Sequence, residues 1–186
     1  MWRRRPQPPR EPGFDGEALS HLAAIHDTAL RLCRDAAAAQ DLTHDTFVRA
    51  LNAADRFEPG TSLKTWLLTI LHNLYRTHLR DRGRHVEAAL DEDSVEVPAP
   101  QPAEESWHAV TSVQLDSAIE LLPQKLREVV VLRDLQGLSY KEIAQVLNLP
   151  VGTVMSRLSR GREALRALLV PLVQGEGVPA QKREVK

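Results

Sequence analysis

Between Ser139 and Arg162 the chain reads SYKEIAQVLNLPVGTVMSRLSRGR, and this stretch leaves little choice of local fold. Ser139-x-x-Glu142 is a capping box, in which the hydroxyl accepts the N–H of the third helical residue and the carboxylate reaches back to the first. Gly137, just upstream, suits the left-handed position that closes the preceding helix. Pro150 stops the helix begun at Ser139, and its fixed φ fits the first turn of another. The pattern predicts two helices about a tight turn, a helix-turn-helix whose second helix enters a DNA major groove.

At 100° per residue, Val154, Leu158, Gly161 and Leu165 fall within about 60° of one another and form the buried stripe of that second helix. Thr153, Ser156, Arg157 and Arg160 fall within about 100° on another side. Short hydroxyls with guanidinium groups suit base edges and phosphates. Arg162 and Arg166 lie off this face, within reach of flanking phosphates or of water alone.

The rest of the sequence is helical in pattern, without strand-like alternation or internal repeat. Residues 1–13 are rich in Arg and Pro and read as a disordered basic arm. Residues 14–84 form one helical block, punctuated at Pro59-Gly60. Residues 85–106, with VPAPQPAEE at their end, are a linker by composition. Residues 107–170 form a second block, broken at Leu122-Pro123, Gln136-Gly137 and Leu149-Pro150, and 171–186 is a fraying tail. Each block is near the lower size limit for independent folding. The expected architecture is all-α: two small helical bundles joined by a flexible acidic linker, the C-terminal one containing the helix-turn-helix.

In the first block, Asp41, His44, Asp45, Val48 and Asn52 project from one side of a helix within about 100°, opposite Leu42, Thr46, Ala50 and Ala53. This polar side serves solubility or docks on a basic partner helix. Farther on, Thr61 or Ser62 caps a helix running to about Arg82. It carries Trp66 and Tyr75 and then a series of Arg, a mixture that suits unstacked bases. Trp66 and Leu67 read as core, whereas His72, Asn73, Arg76 and Arg80 read as an exposed nucleic-acid face.

The net charge of −1 hides blocks of opposite sign. Lys64, Arg76, Arg80, Arg82 and Arg84 are opposed only by Asp81 within 64–84, and Arg157, Arg160, Arg162 and Arg166 only by Glu163 within 150–166. The segment 86–106 between them has seven acids and no Lys or Arg. Two basic surfaces across an acidic spacer point to a polyanion gripped at two places. With Cys33 alone, neither a disulfide framework nor a Cys-rich zinc site is available, and His72, His78 and His85 form no metal-ligand set. No cofactor or metal is expected. No apolar run is long enough to span a membrane, no secretory signal is present, and a reduced, cytoplasmic setting follows. An enzyme is the least favoured class, because no nucleophile–base set or phosphate-cradling Gly loop is visible.

Taken together, DLTHDTFVRALNAADRFEPGTSLKTWLLTILHNL and LPQKLREVVVLRDLQGLSYKEIAQVLNLPVGTVMSRLSRGREALRALL resemble regions 2 and 4 of the extracytoplasmic-function (ECF) sigma factors of the sigma-70 family. The likeness covers about residues 15–170. It implies a non-enzymatic initiation factor that binds core RNA polymerase, opens DNA at the minus-ten element and reads the minus-thirty-five element. By position, Asp41, His44, Asp45, Val48 and Asn52 would dock on the beta-prime coiled coil, and region 4 would touch the beta flap. Asn73 would capture a base flipped from the non-template strand, beside His72, Arg76, Arg80, Arg82 and Arg84. Tyr140, Lys141, Thr153, Ser156, Arg157 and Arg160 would contact the upstream element. The resemblance also implies an anti-sigma partner.

Three positions depart from the family pattern: His44 replaces a common Gln, Met155 a common Lys and Gly161 a common Ala. The turn before Asp41 also lacks the usual Gly-Asp. The alternative is a two-domain helix-turn-helix regulator that binds DNA without polymerase. An adaptor of the anti-sigma kind would bind a sigma factor and little DNA.

Overall fold

The structure, a computed structural model, describes residues 13–83 and 111–173. The expected arm, acidic linker, Arg84 and most of the tail lie outside these residues. Every regular element among the described residues is helical.

The N-terminal bundle comprises α1 (Phe14–Ser20), α2 (Leu22–Cys33), α3 (Ala36–Asn52), a 3-10 turn (Ala54–Arg56) and α4 (Leu63–Asp81). Asp35 starts α3 by accepting the N–H of Ala38 at 3.0 Å, and this bond leads the effects that hold its carboxyl below the usual range. Arg34, just before it, occupies the left-handed region at φ 57, where an L-residue pays roughly 1–2 kcal/mol. Ser62, of the two candidates, caps α4. Ile25, Leu32, Leu42, Phe47, Leu67 and Leu71 fill the core, and the rings of Phe14, Phe57 and Trp66 cluster beside it, Phe14 edge to face with Trp66 and the other pairs tilted. Trp66 and Leu67 therefore serve the core, as expected. Buried Thr28, Thr43 and Thr46 each donate to the carbonyl four residues back, which satisfies their hydroxyls within the helix.

The C-terminal bundle comprises α5 (Ser112–Leu121), α6 (Gln124–Val130), α7 (Tyr140–Leu147) and α8 (Val151–Val173). Thr111 and Gln114 form a capping box on α5 that the sequence pattern had not flagged. Val131–Leu135 extends α6 as a π-helical turn, with the Gln136 N–H reaching back five residues to the Val131 carbonyl at 3.0 Å. Gly137 then takes φ 74 and donates to the Arg133 carbonyl. The three expected breaks fall where Pro123, Gly137 and Pro150 stand. α8 runs through Pro171 to Val173, three residues past the end expected for the block.

At Gly161, α8 packs tightly against α6. A Cβ there would lie 2.7 Å from Val130 Cγ2 and 3.3 Å from the Leu126 carbonyl oxygen. Val130 is β-branched and 1% exposed, so it has little room to yield. Alanine gains up to about 1 kcal/mol in helix propensity over glycine, but overpacking costs about 1–3 kcal/mol. Gly161→Ala is expected to lower stability, read as a lower urea midpoint; a raised midpoint would mean that the two helices can part.

The bundles pack on each other, and one apolar cluster runs through both. A small cavity of about 10 Å³ lies at the junction, lined from one side by Leu32, Leu68 and Leu71 and from the other by Leu132 and Val146. Polar pairs also join the bundles. Arg31 Nη2 meets Asp116 Oδ1 at 2.8 Å, Lys64 Nζ donates to the Gln136 carbonyl at 2.7 Å, and Thr65 Oγ1 donates to Glu142 Oε1 at 2.8 Å.

Candidate nucleic-acid interface

The helix-turn-helix is built as its caps dictate. Ser139 Oγ accepts the Glu142 N–H, and Glu142 Oε2 accepts the Ser139 N–H at 2.8 Å. The Ser139 hydroxyl, donating to Glu142 Oε2 at 2.6 Å, and then the Ser139 N–H hold the Glu142 carboxyl below its usual range. Asn148 ends α7 in the left-handed region at φ 53, and the Pro150 carbonyl accepts the first N–H of α8 from Val154. Val154, Leu158, Gly161 and Leu165 are all buried, so the stripe drawn from the sequence is the packed side of α8.

The polar side is more complicated. Thr153, Ser156 and Arg160 are half-buried, whereas Arg157 retains only 7% exposure. Arg157 is three residues beyond Val154 and four before Gly161, so it shares the edge of the packed stripe. Lys141 is exposed; Tyr140 is half-buried, with the Arg133 guanidinium 5.0 Å from its ring centre. Arg162, exposed, makes a bidentate contact with Asp134, one arm at 3.1 Å.

On α4, Asn73, Arg76 and Arg80 form an exposed stripe at spacings of three and four, continued by exposed Arg82. His72 departs from the expected exposed face, being 5% exposed. The reason is periodic: Thr65, Leu68, His72, Tyr75 and Leu79 alternate three and four apart and are all buried. Tyr75, offered with Trp66 as a stacking surface, is also core, and its hydroxyl donates to the Leu32 carbonyl at 3.1 Å. Neither His72 nitrogen makes a hydrogen bond within the protein. Nε2 lies 3.6 Å from Glu128 Oε2, an electrostatic contact rather than a hydrogen bond. Glu128, 8% exposed, also accepts from Gln124 Nε2 at 2.9 Å.

On α3, Asp41, His44, Asp45, Val48 and Asn52 are all exposed, and Leu42, Thr46 and Ala50 opposite them are buried. Asp41 and Asp45 are thus exposed on one side of α3, with His44, Val48 and Asn52 beside them. Sequence reasoning missed Glu128 and Glu142 as contacts between the bundles, since no local pattern marks a residue that pairs across a tether. Among the described residues no cluster of His, Cys, Asp or Glu is arranged to hold a metal, and no helix is long and apolar enough to cross a membrane.

Comparison with known proteins agrees with this arrangement. Residues 18–85 match the family model for sigma-70 region 2, and 112–165 that for sigma-70 region 4. The ECF RNA polymerase sigma factor SigE of Mycolicibacterium smegmatis is 39% identical over 160 residues, covering 85% of this chain, which spans 62% of that protein's length. The ECF RNA polymerase sigma factor EcfG of Rhodopseudomonas palustris is 36% identical over 153 residues, 82% of this chain and 83% of the relative. Among solved structures, the sigma factor RpoE of Bartonella quintana, in complex with the anti-sigma factor NepR, superposes with a TM-score of 0.68 at 33% identity, covering 86% of this chain and 98% of that one. The chain belongs to the ECF subfamily of the sigma-70 family of RNA polymerase sigma factors.

Proposed function

We propose that the chain acts as the promoter-specificity subunit of a bacterial RNA polymerase, in the cytoplasm and without catalysis of its own. The observation that carries this reading is the pairing, in one chain, of a capped helix-turn-helix with a second helical bundle bearing an exposed Asn73–Arg76–Arg80 stripe. The division of labour follows from chemistry. Residues 14–84 would act as region 2 and residues 107–170 as region 4. The acidic face of α3 suits the beta-prime coiled coil of core polymerase. Asn73 offers both donors and an acceptor to the edge of an unstacked base, and Arg76, Arg80, Arg82 and Arg84 suit the strand beside it. Tyr140, Lys141, Thr153, Ser156, Arg157 and Arg160 would address the upstream element. The relative solved with NepR supports an anti-sigma partner for this chain too.

Run-off transcription with core polymerase on genomic fragments tests the reading. Promoter-specific transcripts should appear only when chain and core are both present; DNA binding without any core-dependent transcript would point instead to a regulator. Within that assay, Asn73→Ala should slow promoter opening while leaving polymerase binding intact. Its side chain is exposed, so the fold should tolerate the change. Base flipping costs a few kcal/mol that a capture pocket offsets, and about 1–2 kcal/mol of this lost, a rate drop of roughly tenfold, is expected. An unchanged opening rate, followed by permanganate reactivity, would remove Asn73 from that role.

A further inference from the structure

Of the six residues assigned above to the upstream element, only Lys141 is exposed; Tyr140, Thr153, Ser156 and Arg160 are half-buried and Arg157 is buried. The first two turns of α8 hold something else outermost: Val151 at 39% exposure, Met155 at 47%, and Gly152 between them. In a helix-turn-helix, the leading residues of the second helix are those that meet base edges. Val151 and Met155 are four apart, hence on one side of α8, and half-buried Ser159 and exposed Arg162 continue that line. Thr153, Ser156 and Arg160 lie on its flank, about 100–160° round from Met155.

Single exposed apolar side chains are ordinary on a protein surface, so exposure alone does not mark Met155. Its place does: an apolar pair occupies the leading turns of the second helix in a segment that matches sigma-70 region 4. Gly152 adds an independent sign. A Cβ there would meet no atom within 4 Å, and its backbone is helical, so neither packing nor conformation among the described residues calls for glycine. Glycine weakens a helix interior, and a bare position one turn before Met155 suits a body that approaches closely from outside. Exposed Lys141 on α7 and Arg162 on α8 give that approach the sign a polyanion needs.

We propose that Met155 is a specificity determinant of the upstream grip: its side chain covers the methyl group of one thymine in the major groove, so the element carries an A·T pair there. This rests on the sigma-factor reading. Thymine is the base whose major-groove edge bears a methyl group, whereas the other edges present donors and acceptors. An apolar side chain laid over those would leave them without partners, which costs affinity. Methionine is unbranched and adapts to the surface it covers. Val151, one turn nearer the start of α8, widens the apolar strip.

The test uses holoenzyme, the full chain on core polymerase, and a promoter recovered by run-off transcription. Each thymine of the upstream element, on either strand, is replaced in turn by deoxyuridine, which keeps the pairing and removes only the methyl group. Parent holoenzyme should lose about fourfold in affinity at one position, the worth of one buried methyl, and little elsewhere. Met155→Ala should bind the thymine and deoxyuridine duplexes alike at that position. Met155→Leu, still apolar, should keep most of the methyl effect. Met155 is exposed, so both variants should fold, and the parent's own response needs no variant.

A parent indifferent to every methyl group overturns the proposal, as does an upstream element without an A·T pair. A methyl effect that Met155→Ala retains overturns it too, since another residue then makes the contact. If the parent holoenzyme gives no core-dependent, promoter-specific transcript, the sigma-factor reading has failed and this inference falls with it, a result distinct from the others.

Discussion

Leu71→Ala should cost about 3–5 kcal/mol of stability, the upper part of the range for truncating a buried leucine. Leu71 is 1% exposed and already borders the cavity at the junction of the bundles. Truncation would enlarge a space that the neighbouring Leu32, Leu68 and Leu132 cannot close without shifting two helices in one bundle and one in the other. Against a total of about 5–15 kcal/mol for a domain, such a loss should lower the melting temperature by about 10 °C or more. Because the apolar cluster runs through both bundles, thermal melting followed by helical circular dichroism should remain a single transition. A two-step melt, with half the helical signal unmoved, would show that the seam contributes nothing to stability.

Acid should loosen the molecule through the same junction. Burial pushes the Glu128 carboxyl up, but the His72 contact, the Gln124 hydrogen bond and the charge of Arg157 outweigh it and hold the group below the ordinary glutamate range. A carboxyl whose folded value is depressed contributes stability that is present above its unfolded value and is lost as pH falls through the folded one. Glu142, held down by Ser139 and Thr65, and Asp35, held down by the Ala38 N–H, act in the same direction. Urea midpoints measured from about pH 7 down to about pH 4 should therefore fall once pH drops below about 5. Glu128→Gln should flatten that fall, since an amide has no proton to take up. A variant as acid-sensitive as the parent would place the titration on exposed carboxylates instead.

How much of this was legible beforehand depends on whether the determinant is local. Ser139, Glu142, Gly137 and Ser62 start and stop helices through bonds to residues three or four away, and their sequence spacing is enough to locate them. The all-helical class and the buried stripe of α8 follow from periodicity in the same way. Arg34 in a left-handed corner was not legible, because nothing in an Arg announces a positive φ; the capping Asp35 beside it was the available hint.

His72 shows a different failure. Its position in the run Thr65, Leu68, His72, Tyr75, Leu79 was visible, but its polarity invited an exposed assignment. Arg157 misled likewise, on the boundary between a packed stripe and a polar face. The contacts of Lys64, Thr65, Glu128 and Glu142 join segments more than fifty residues apart. Pairing across that distance leaves no periodic trace in a single sequence.

The π-helical turn at Val131–Leu135 gives the molecule an adjustable joint. A π turn accommodates one residue more than the α-helix it interrupts. Deleting one of those residues would let α6 run on as regular helix with the residues on either side kept on their present faces, whereas deleting one from the α-helical part of α6 would rotate everything downstream by about 100°. The Gln136 carbonyl would then swing away from Lys64, and α7 and α8 would be re-aimed as a unit, with no residue of α8 altered. The bearing of one bundle relative to the other is therefore encoded in the number of residues in α6. Insertions and deletions there could change how the two halves are aimed while leaving intact the side chains each presents.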